Sequence, residues 1–476
     1  MGLSVVVLAA GEGKRFHSAT PKALHLVAGR PLLGHVLAAA AGLRADSTVV
    51  VVGRGADEVR TAVAGFSLGP VAFAVQQELK GTGDALASAV PMLPGDGEVL
   101  VLYGDTPLVT LATLEQLLAT HRTLTADVTL LTCEADDPSG YGRVLRGPAG
   151  EVTGVVEQRD ATPEQRALRE VNAGFYVFSR PVLDGLAQLR ADNDQGEYYL
   201  PDLLPLVLAR GGVVATCRGS EVEARGVNDR AQLADAATVL RRRLLEPLMA
   251  AGVTVVDPAT TYVDVDVEVG QDTVLEPLTF LEAGTRVGAR CRIGPNTRLT
   301  GCTVEDEAVI TQAVAVGAHV GPGAQVGPFA YLRPGAELAA GSKVGTYVEV
   351  KQSRVGAGSK VPHLTYVGDA DIGSGVNVGA GTVFVNYDGV AKHRITVGDG
   401  AFIGSDTMLV APLEVGPGAQ TAAGSTITKD VPPDALAIER TDQRTVEGWG
   451  ARRRRRRLEA QERAADSRQG DETGRE

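Results

Sequence analysis

The chain has 476 residues, 44% hydrophobic and 22% charged, with a formal net charge of −12. That length predicts two or three domains, and the acidic balance argues against general nucleic-acid or anionic-membrane binding. No uninterrupted apolar run of about 20 residues exists, so no membrane span is predicted, and 58 glycines beside 4% aromatics demand a fold rich in turns.

Residues 1–229 alternate β-branched runs with amphipathic stretches. "SVVVLAA", "TVVVVG", "EVLVLYGD", "ADVTLLTCEA" and "NAGFYVFS" predict strands, and "RPLLGHVLAAAAGL", "TGDALASAVPML" and "LATLEQLLATHRTL" predict helices. The alternation implies an α/β Rossmann-like domain on a largely parallel sheet, with its ligand at the carboxyl ends of the strands. "LAAGEGKR" and "LYGDTP" each follow a strand and so lie where that site belongs. The first is neither a dinucleotide fingerprint nor an ATPase loop: Phe16 stands where a third glycine is needed, and Gly13-Lys14-Arg15 where Gly-Lys-Ser/Thr is needed. Gly11 and Gly13 still allow backbone N–H groups to approach phosphates, Arg15 and Lys22 add cations, and Asp105 is placed to hold a hard cation such as Mg²⁺. The opening residues carry no charged n-region or cleavage site, so no secretory leader is expected. Cys133, Cys217, Cys291 and Cys302 lack metal-ligand spacing and are expected as free thiols in a reducing cytoplasm.

Residues 230–250 have leucines at helical spacing and predict a connecting helix, with Arg241–Arg243 on a solvated face. Beyond Gly252 an aliphatic residue followed by glycine recurs: Val269-Gly270, Val287-Gly288, Ile293-Gly294, Val320-Gly321, Val326-Gly327, Val344-Gly345, Val397-Gly398, Ile403-Gly404 and Val415-Gly416. Spacings mostly of 6, 12 or 18 make a hexapeptide repeat, and three short strands per coil make a parallel β-helix over 251–437. "VFVNYDGVAKHRI" breaks the register without an aliphatic pattern, and a loop thrown out of a solenoid is a place for function. Residues 438–476 form a C-terminal segment and charged tail, expected to be disordered, with Arg452–Arg457 solvated.

"LAAGEGKRF…PKAL", "QQELKGTGDA", "YGDTPL", "YGRV", "VVEQRDA", "VNAGFYVF" and "GVNDR" occur in the order seen in sugar-nucleotide pyrophosphorylases. With the repeats that follow, the chain to about Trp449 resembles the bacterial bifunctional GlmU family, in which an N-acetylglucosamine-1-phosphate uridylyltransferase is joined to a glucosamine-1-phosphate N-acetyltransferase on a left-handed β-helix. The resemblance implies that UTP or its product lies against Leu8, Ala9, Ala10, Gly11, Lys22, Gln76, Gly81, Thr82, Tyr103 and Gly104. Gly142, Glu157 and Asn172 would line the sugar pocket, Asp105 and Asn228 would share one Mg²⁺, Arg15 would steady pyrophosphate and Lys22 the attacking phosphate. Three departures from the family pattern stand out: Lys14 where threonine is usual, Phe16 for methionine, and Asp84 for histidine, the last a second anion expected near the phosphates.

In the repeat region His363 suits a general base for acyl transfer, because an unperturbed imidazole titrates near neutrality. Glu349 is a candidate to orient its ring, and Arg333 and Lys351 supply charge for a sugar phosphate. The family pattern likewise assigns the base to His363, glucosamine-1-phosphate to Arg333, Lys351, Tyr366 and Asn377, and acetyl-CoA to Ala380, Asn386, Tyr387, Ser405, Ala423 and Arg440. It implies a cytoplasmic homotrimer that takes small-molecule substrates and supplies UDP-N-acetylglucosamine for peptidoglycan and lipopolysaccharide. Trp449 is a candidate to stack on adenine. A second reading keeps the uridylyltransferase and uses the β-helix only as a trimerisation or regulatory module.

Overall fold

The computed structural model describes residues 2–66 and 69–472. Contacts divide the chain into two compact units, Met1–Ser342 and Lys343–Glu476.

The first unit opens with a twisted sheet in the order Val214–Arg218, Val128–Glu134, Glu170–Ser179, Glu98–Tyr103, Leu3–Leu8, Ser47–Val52, Ala72–Val75. All the strands predicted from sequence are present. So are the helices Leu32–Ala41, Thr82–Ala89 and Leu111–Thr123. Leu3–Leu8 is a continuous apolar run because both its faces are covered: Val5 and Val7 pack in one core, Val6 and Leu8 in the other. Its neighbours run parallel to it, pairing Val6 with Val49 and with Val101. Glu170–Ser179 is antiparallel to both of its neighbours, so the sheet is mixed. That strand slips register between Asn172 and Tyr176, where Gly174 has φ 83°. A Cβ at Gly174 would lie 2.4 Å from the Tyr103 ring, so the bulge requires glycine and re-aims Asn172.

Helix Arg230–Ala250 starts on an Asp229 cap, whose carboxylate accepts from the Gln232 N–H at 2.8 Å. Its three arginines are not one solvated face. Arg242 is exposed and pairs with Glu246, but Arg241 lies 5.0 Å over the Tyr262 ring and Arg243 donates to the Leu108 carbonyl at 2.6 Å. Flat guanidinium groups find aromatic and carbonyl partners that charge counting overlooks.

The repeat region is a left-handed parallel β-helix: the spacing predicts the parallel coils, and the family resemblance their hand. In the first unit Leu275, Ile293, Ile310 and Val326 stack in register as a buried aliphatic ladder. In the second unit Phe384, Leu409 and Ile427 do the same. A Cβ on Gly379 would fall 2.4 Å from the Ser405 nitrogen of the next coil, so close coil contact excludes a side chain there. The tail differs from expectation: Trp449–Glu472 is helical. Its alanine, arginine, glutamate and glutamine content favours helix even where nothing is buried, and the residues from Ala451 to Arg463 are exposed. Among the described residues no helix is long and apolar enough to cross a membrane.

Candidate active sites

The carboxyl ends of Leu3–Leu8, Ala72–Val75 and Glu98–Tyr103 open on a cavity of about 280 Å³. Its lining includes Leu8, Ala9, Ala10, Gly11, Lys22, Gln76, Gly81, Thr82, Tyr103, Gly104 and Asp105, so the nucleotide residues named from sequence converge on one place. Leu79, Ala23, Ala85 and Glu197 join them. Glu197 was not legible, because it reaches the cavity from a segment over 90 residues from the rest of the lining. The Gly83 N–H donating to the Tyr198 carbonyl at 2.8 Å brings that segment in.

Lys22 is the organising cation. Its Nζ, nearly buried, donates to Asp105 and, at 2.7 Å, to Asn228 Oδ1. The ammonium thus lies between the two oxygens that the family resemblance assigns to Mg²⁺. A carboxylate and an amide oxygen with both lone-pair faces turned to one cation fit a hard ion that completes its shell with phosphate and water. Among the described residues there is no cluster of three or more His, Cys, Asp or Glu around a metal position. Gly13, at φ 64°, lets the loop cross Lys22, since a Cβ there would stand 2.6 Å from the lysine Cβ.

Arg15 is exposed on the turn Lys14–Phe16 and does not line the cavity. Lys14 is exposed too and pairs with Glu12 at 3.4 Å. Phe16 is 1% exposed, stacked on His25 with 4.3 Å between centroids, and packed with Val27, Leu32, Leu108 and Val227. It anchors the loop from below. Phe16→Ala is expected to destabilise the protein by about 3–5 kcal/mol, whereas Phe16→Met, which conserves volume, should cost under about 1.5 kcal/mol. Denaturant unfolding followed with UTP binding checks both.

Asp84 does not add a free anion beside the phosphates. Its Oδ2 accepts from Gln76 Nε2 at 2.8 Å, while the same nitrogen donates to the Gly81 carbonyl at 3.1 Å.

Gly142, Glu157 and Asn172 come together beside this cavity. The Asn172 N–H donates to the Gly142 carbonyl at 2.9 Å, and a Cβ on Gly142 would lie 3.1 Å from Glu157 Oε1. Asn172 Nδ2 donates to the buried Tyr176 hydroxyl at 2.6 Å. Glu157 also borders a second, wider cavity with Asp160, Tyr199 and Asp202. Burial, then Asp160 and Asp202, push its carboxyl up to about 7. Burial and the Glu157 charge also raise the Tyr103 phenol, which stays protonated. A carboxyl raised by folding contributes stability that is full below its unfolded value and lost as pH rises through 7. Glu157→Gln is therefore expected to gain Tm over wild type between pH 6 and 8, with little difference at pH 5; thermal unfolding at the three pH values reads it.

In the second unit, Asp369 gathers the acetyl-transfer candidates, and sequence reasoning did not select it. It holds Lys351 Nζ at 3.2 Å and also accepts from Asn386 Nδ2, which lies 3.4 Å from the Tyr366 hydroxyl. The only sequence signal was an acidic residue, "VGDAD", in a coil corner, where Asp369 takes φ 50°. Gly368 permits the cluster, because its Cβ would lie 2.4 Å from the Tyr366 hydroxyl and 2.6 Å from Asn386 Nδ2. His363 ends the strand Lys360–His363 with its ring exposed and no hydrogen bond among the described residues, so no carboxylate orients it here. Asn377 pairs with Lys360 and Phe402 on the same stack of strands. Arg333 belongs to the first unit and the others to the second.

The loop after Asn386 is built by Asp388, held well below the usual carboxylate range by the Ala391 N–H, His393 and the Val390 N–H. Tyr387 donates to the Gly389 carbonyl at 2.7 Å and is exposed. Ala380, Ser405 and Ala423 follow one another up the coils: the Asp406 N–H donates to the Ala380 carbonyl, the Gly424 N–H to the Ser405 carbonyl, and Arg440 Nη1 at 3.0 Å to the Ala423 carbonyl. Trp449 is exposed, with Arg453 5.3 Å over its ring. All four cysteines are free and buried, and burial raises each thiol, Cys133 to about 11.

Comparison with known proteins agrees with both halves. The profile of the MobA-like NTP transferase domain matches residues 5–201. The chain is 52% identical over 95% of its length, and 94% of the relative's, to "Bifunctional protein GlmU" of Thermobifida fusca. To proteins of the same name it is 51% identical in Streptomyces avermitilis (95% and 94% covered) and 49% in Mycolicibacterium vanbaalenii (95% and 93%). At that identity, sustained from the nucleotide loop through the coils, the chain belongs to the family of bifunctional GlmU proteins, which are both uridylyltransferases and acetyltransferases.

Proposed function

We propose that the two reactions of this bifunctional enzyme run at two separate sites, one within residues 1–229 and one within 251–437, joined through helix 230–250. Acetyl-CoA acetylates glucosamine-1-phosphate at the second, and UTP then converts the N-acetylglucosamine-1-phosphate to UDP-N-acetylglucosamine and pyrophosphate at the first. The observation that carries the first assignment is the convergence of Gly11, Gln76, Thr82, Lys22 and Asp105 on one cavity at the strand ends.

In uridylyl transfer a sugar-phosphate oxygen attacks the α-phosphorus of UTP in line, and the bond to pyrophosphate breaks. Positioning and charge neutralisation supply the catalysis. Gly11 and its neighbours leave room for phosphate against backbone N–H groups. Gln76 reads the base, and Gly142, Glu157 and Asn172 hold the sugar. Asp105 and Asn228 would hold Mg²⁺, which when bound would supply neutralisation of phosphate charge. With those two oxygens on the metal, the Lys22 ammonium would turn to a phosphate, and Arg15, exposed on its turn, reaches over the departing pyrophosphate.

In acetyl transfer the amine attacks the thioester carbonyl, the carbon–sulfur bond breaks, and His363 takes the amine proton. Lys351 meets the phosphate; Tyr366 and Asn377 orient the sugar. Ala380, Asn386, Tyr387, Ser405, Ala423 and Arg440 form a strip for acetyl-CoA. The scaffold-only reading gives no account of the Lys351–Asp369–Asn386–Tyr366 network, since a solenoid packs without it. A homotrimer is supported by apolar side chains left on the coil surface, Val314 at 43% and its register neighbour Tyr331 at 40% exposure. Four reduced, buried thiols suit the cytoplasm.

The test is direct. Full-length protein with glucosamine-1-phosphate, acetyl-CoA, UTP and Mg²⁺ should release CoA and pyrophosphate and accumulate UDP-N-acetylglucosamine. CoA without the sugar nucleotide would remove the first site's assignment.

A further inference from the structure

The Gln76–Asp84 contact has a chemical consequence for which nucleotide the cavity takes. A glutamine amide offers two N–H donors on one end and a carbonyl acceptor on the other, and free rotation lets it present either. Here it has no such choice. Nε2 faces the Gly81 carbonyl at 3.1 Å and the Asp84 carboxylate at 2.8 Å, both acceptors, so both its hydrogens are committed. Turning the amide over would set Oε1 against two acceptors. Gln76 is 5% exposed and lines the cavity, and Oε1 accepts no hydrogen bond among the described residues.

We propose that Asp84 is a positioning residue for base selection: by holding the Gln76 nitrogen it leaves only the carbonyl oxygen to the nucleotide, which selects a base offering an N–H. Uracil offers N3–H. Cytosine presents a lone pair at the same position, and its pairing would need the amide nitrogen that Asp84 retains. This inference rests on the reading that the cavity binds the nucleotide base. It also accounts for an acid beside a triphosphate site: its charge is spent on an amide rather than turned to the phosphates. A second role is open to Asp84, because an acidic residue in the first turn of Thr82–Ala89 favours the helix dipole, and the experiment separates the two.

Wild type, Asp84→Ala and Asp84→Asn are compared as full-length protein for kcat/KM with UTP, CTP and N3-methyl-UTP, following pyrophosphate. Thermal unfolding of the same preparations reports folding, and alanine is itself a good helix former. Asp84→Ala is expected to lower the UTP:CTP ratio at least fivefold, through KM. Asp84→Asn keeps an oxygen acceptor for Gln76 and should restore the ratio although it lacks the charge. A fall of less than fivefold in Asp84→Ala, or an Asn variant as unselective as the Ala variant, overturns the proposal. Wild type that uses N3-methyl-UTP as well as UTP instead removes the premise that Gln76 reads N3–H.

Discussion

Asp105→Ala is expected to lower uridylyl transfer by about 10³-fold or more and to leave acetyl transfer at its wild-type rate. The carboxylate stands at the end of the central strand pair and faces the Lys22 ammonium and, through it, Asn228. Removing it takes away one of two oxygens for the cation, and a group aimed at transition-state charge is worth about 10²–10³ on its own. It also leaves a nearly buried ammonium with only an amide oxygen. The backbone should survive, because the Val227 N–H bonds the Asp105 main-chain carbonyl at 2.8 Å rather than the side chain. Pyrophosphate release from UTP and N-acetylglucosamine-1-phosphate measures the first rate, and CoA release measures the second.

His363→Ala is expected to do the reverse, with acetyl transfer down about 10²–10⁴-fold, the usual worth of a positioned general base. The imidazole is exposed at a strand end and bonds nothing in the described chain, so its loss removes no support from the coil. The neighbouring backbone stays tied, with the Thr365 hydroxyl donating to the His363 carbonyl at 2.7 Å. Uridylyl transfer and thermal stability should therefore match wild type. A variant that loses both activities while folded would mean that the two sites are not independent.

What could be read in advance follows from what each signal depends on. Strand runs such as Val5–Val7 and the aliphatic–glycine coils are local patterns repeated in the chain, so the sheet and the β-helix were legible residue by residue. That the loop Leu8–Gly11 lines a cavity was legible because it follows a strand and carries glycine, whereas Arg15 beside it stays outside. Contacts between distant side chains were not. Asp369, Glu197 and the Gln76–Asp84 bond depend on which acid meets which amide after folding, and nothing in "VGDAD" or "GTGDA" states it. Lys22 is the sharpest case: its charge was evident, but that it would sit between Asp105 and Asn228, 83 and 206 residues away, is a property of the fold. The C-terminal helix is the opposite error, in which charge content was weighed above the helix propensity of the same residues.

Two independent sites linked only by a diffusing intermediate make one direct demand. Asp105→Ala and His363→Ala, each unable to form UDP-N-acetylglucosamine from glucosamine-1-phosphate, should restore its formation when mixed in one tube with acetyl-CoA, UTP and Mg²⁺. The product should appear after a lag while N-acetylglucosamine-1-phosphate builds up in solution. No product from the mixture, with each variant retaining its own half-reaction, would contradict the account.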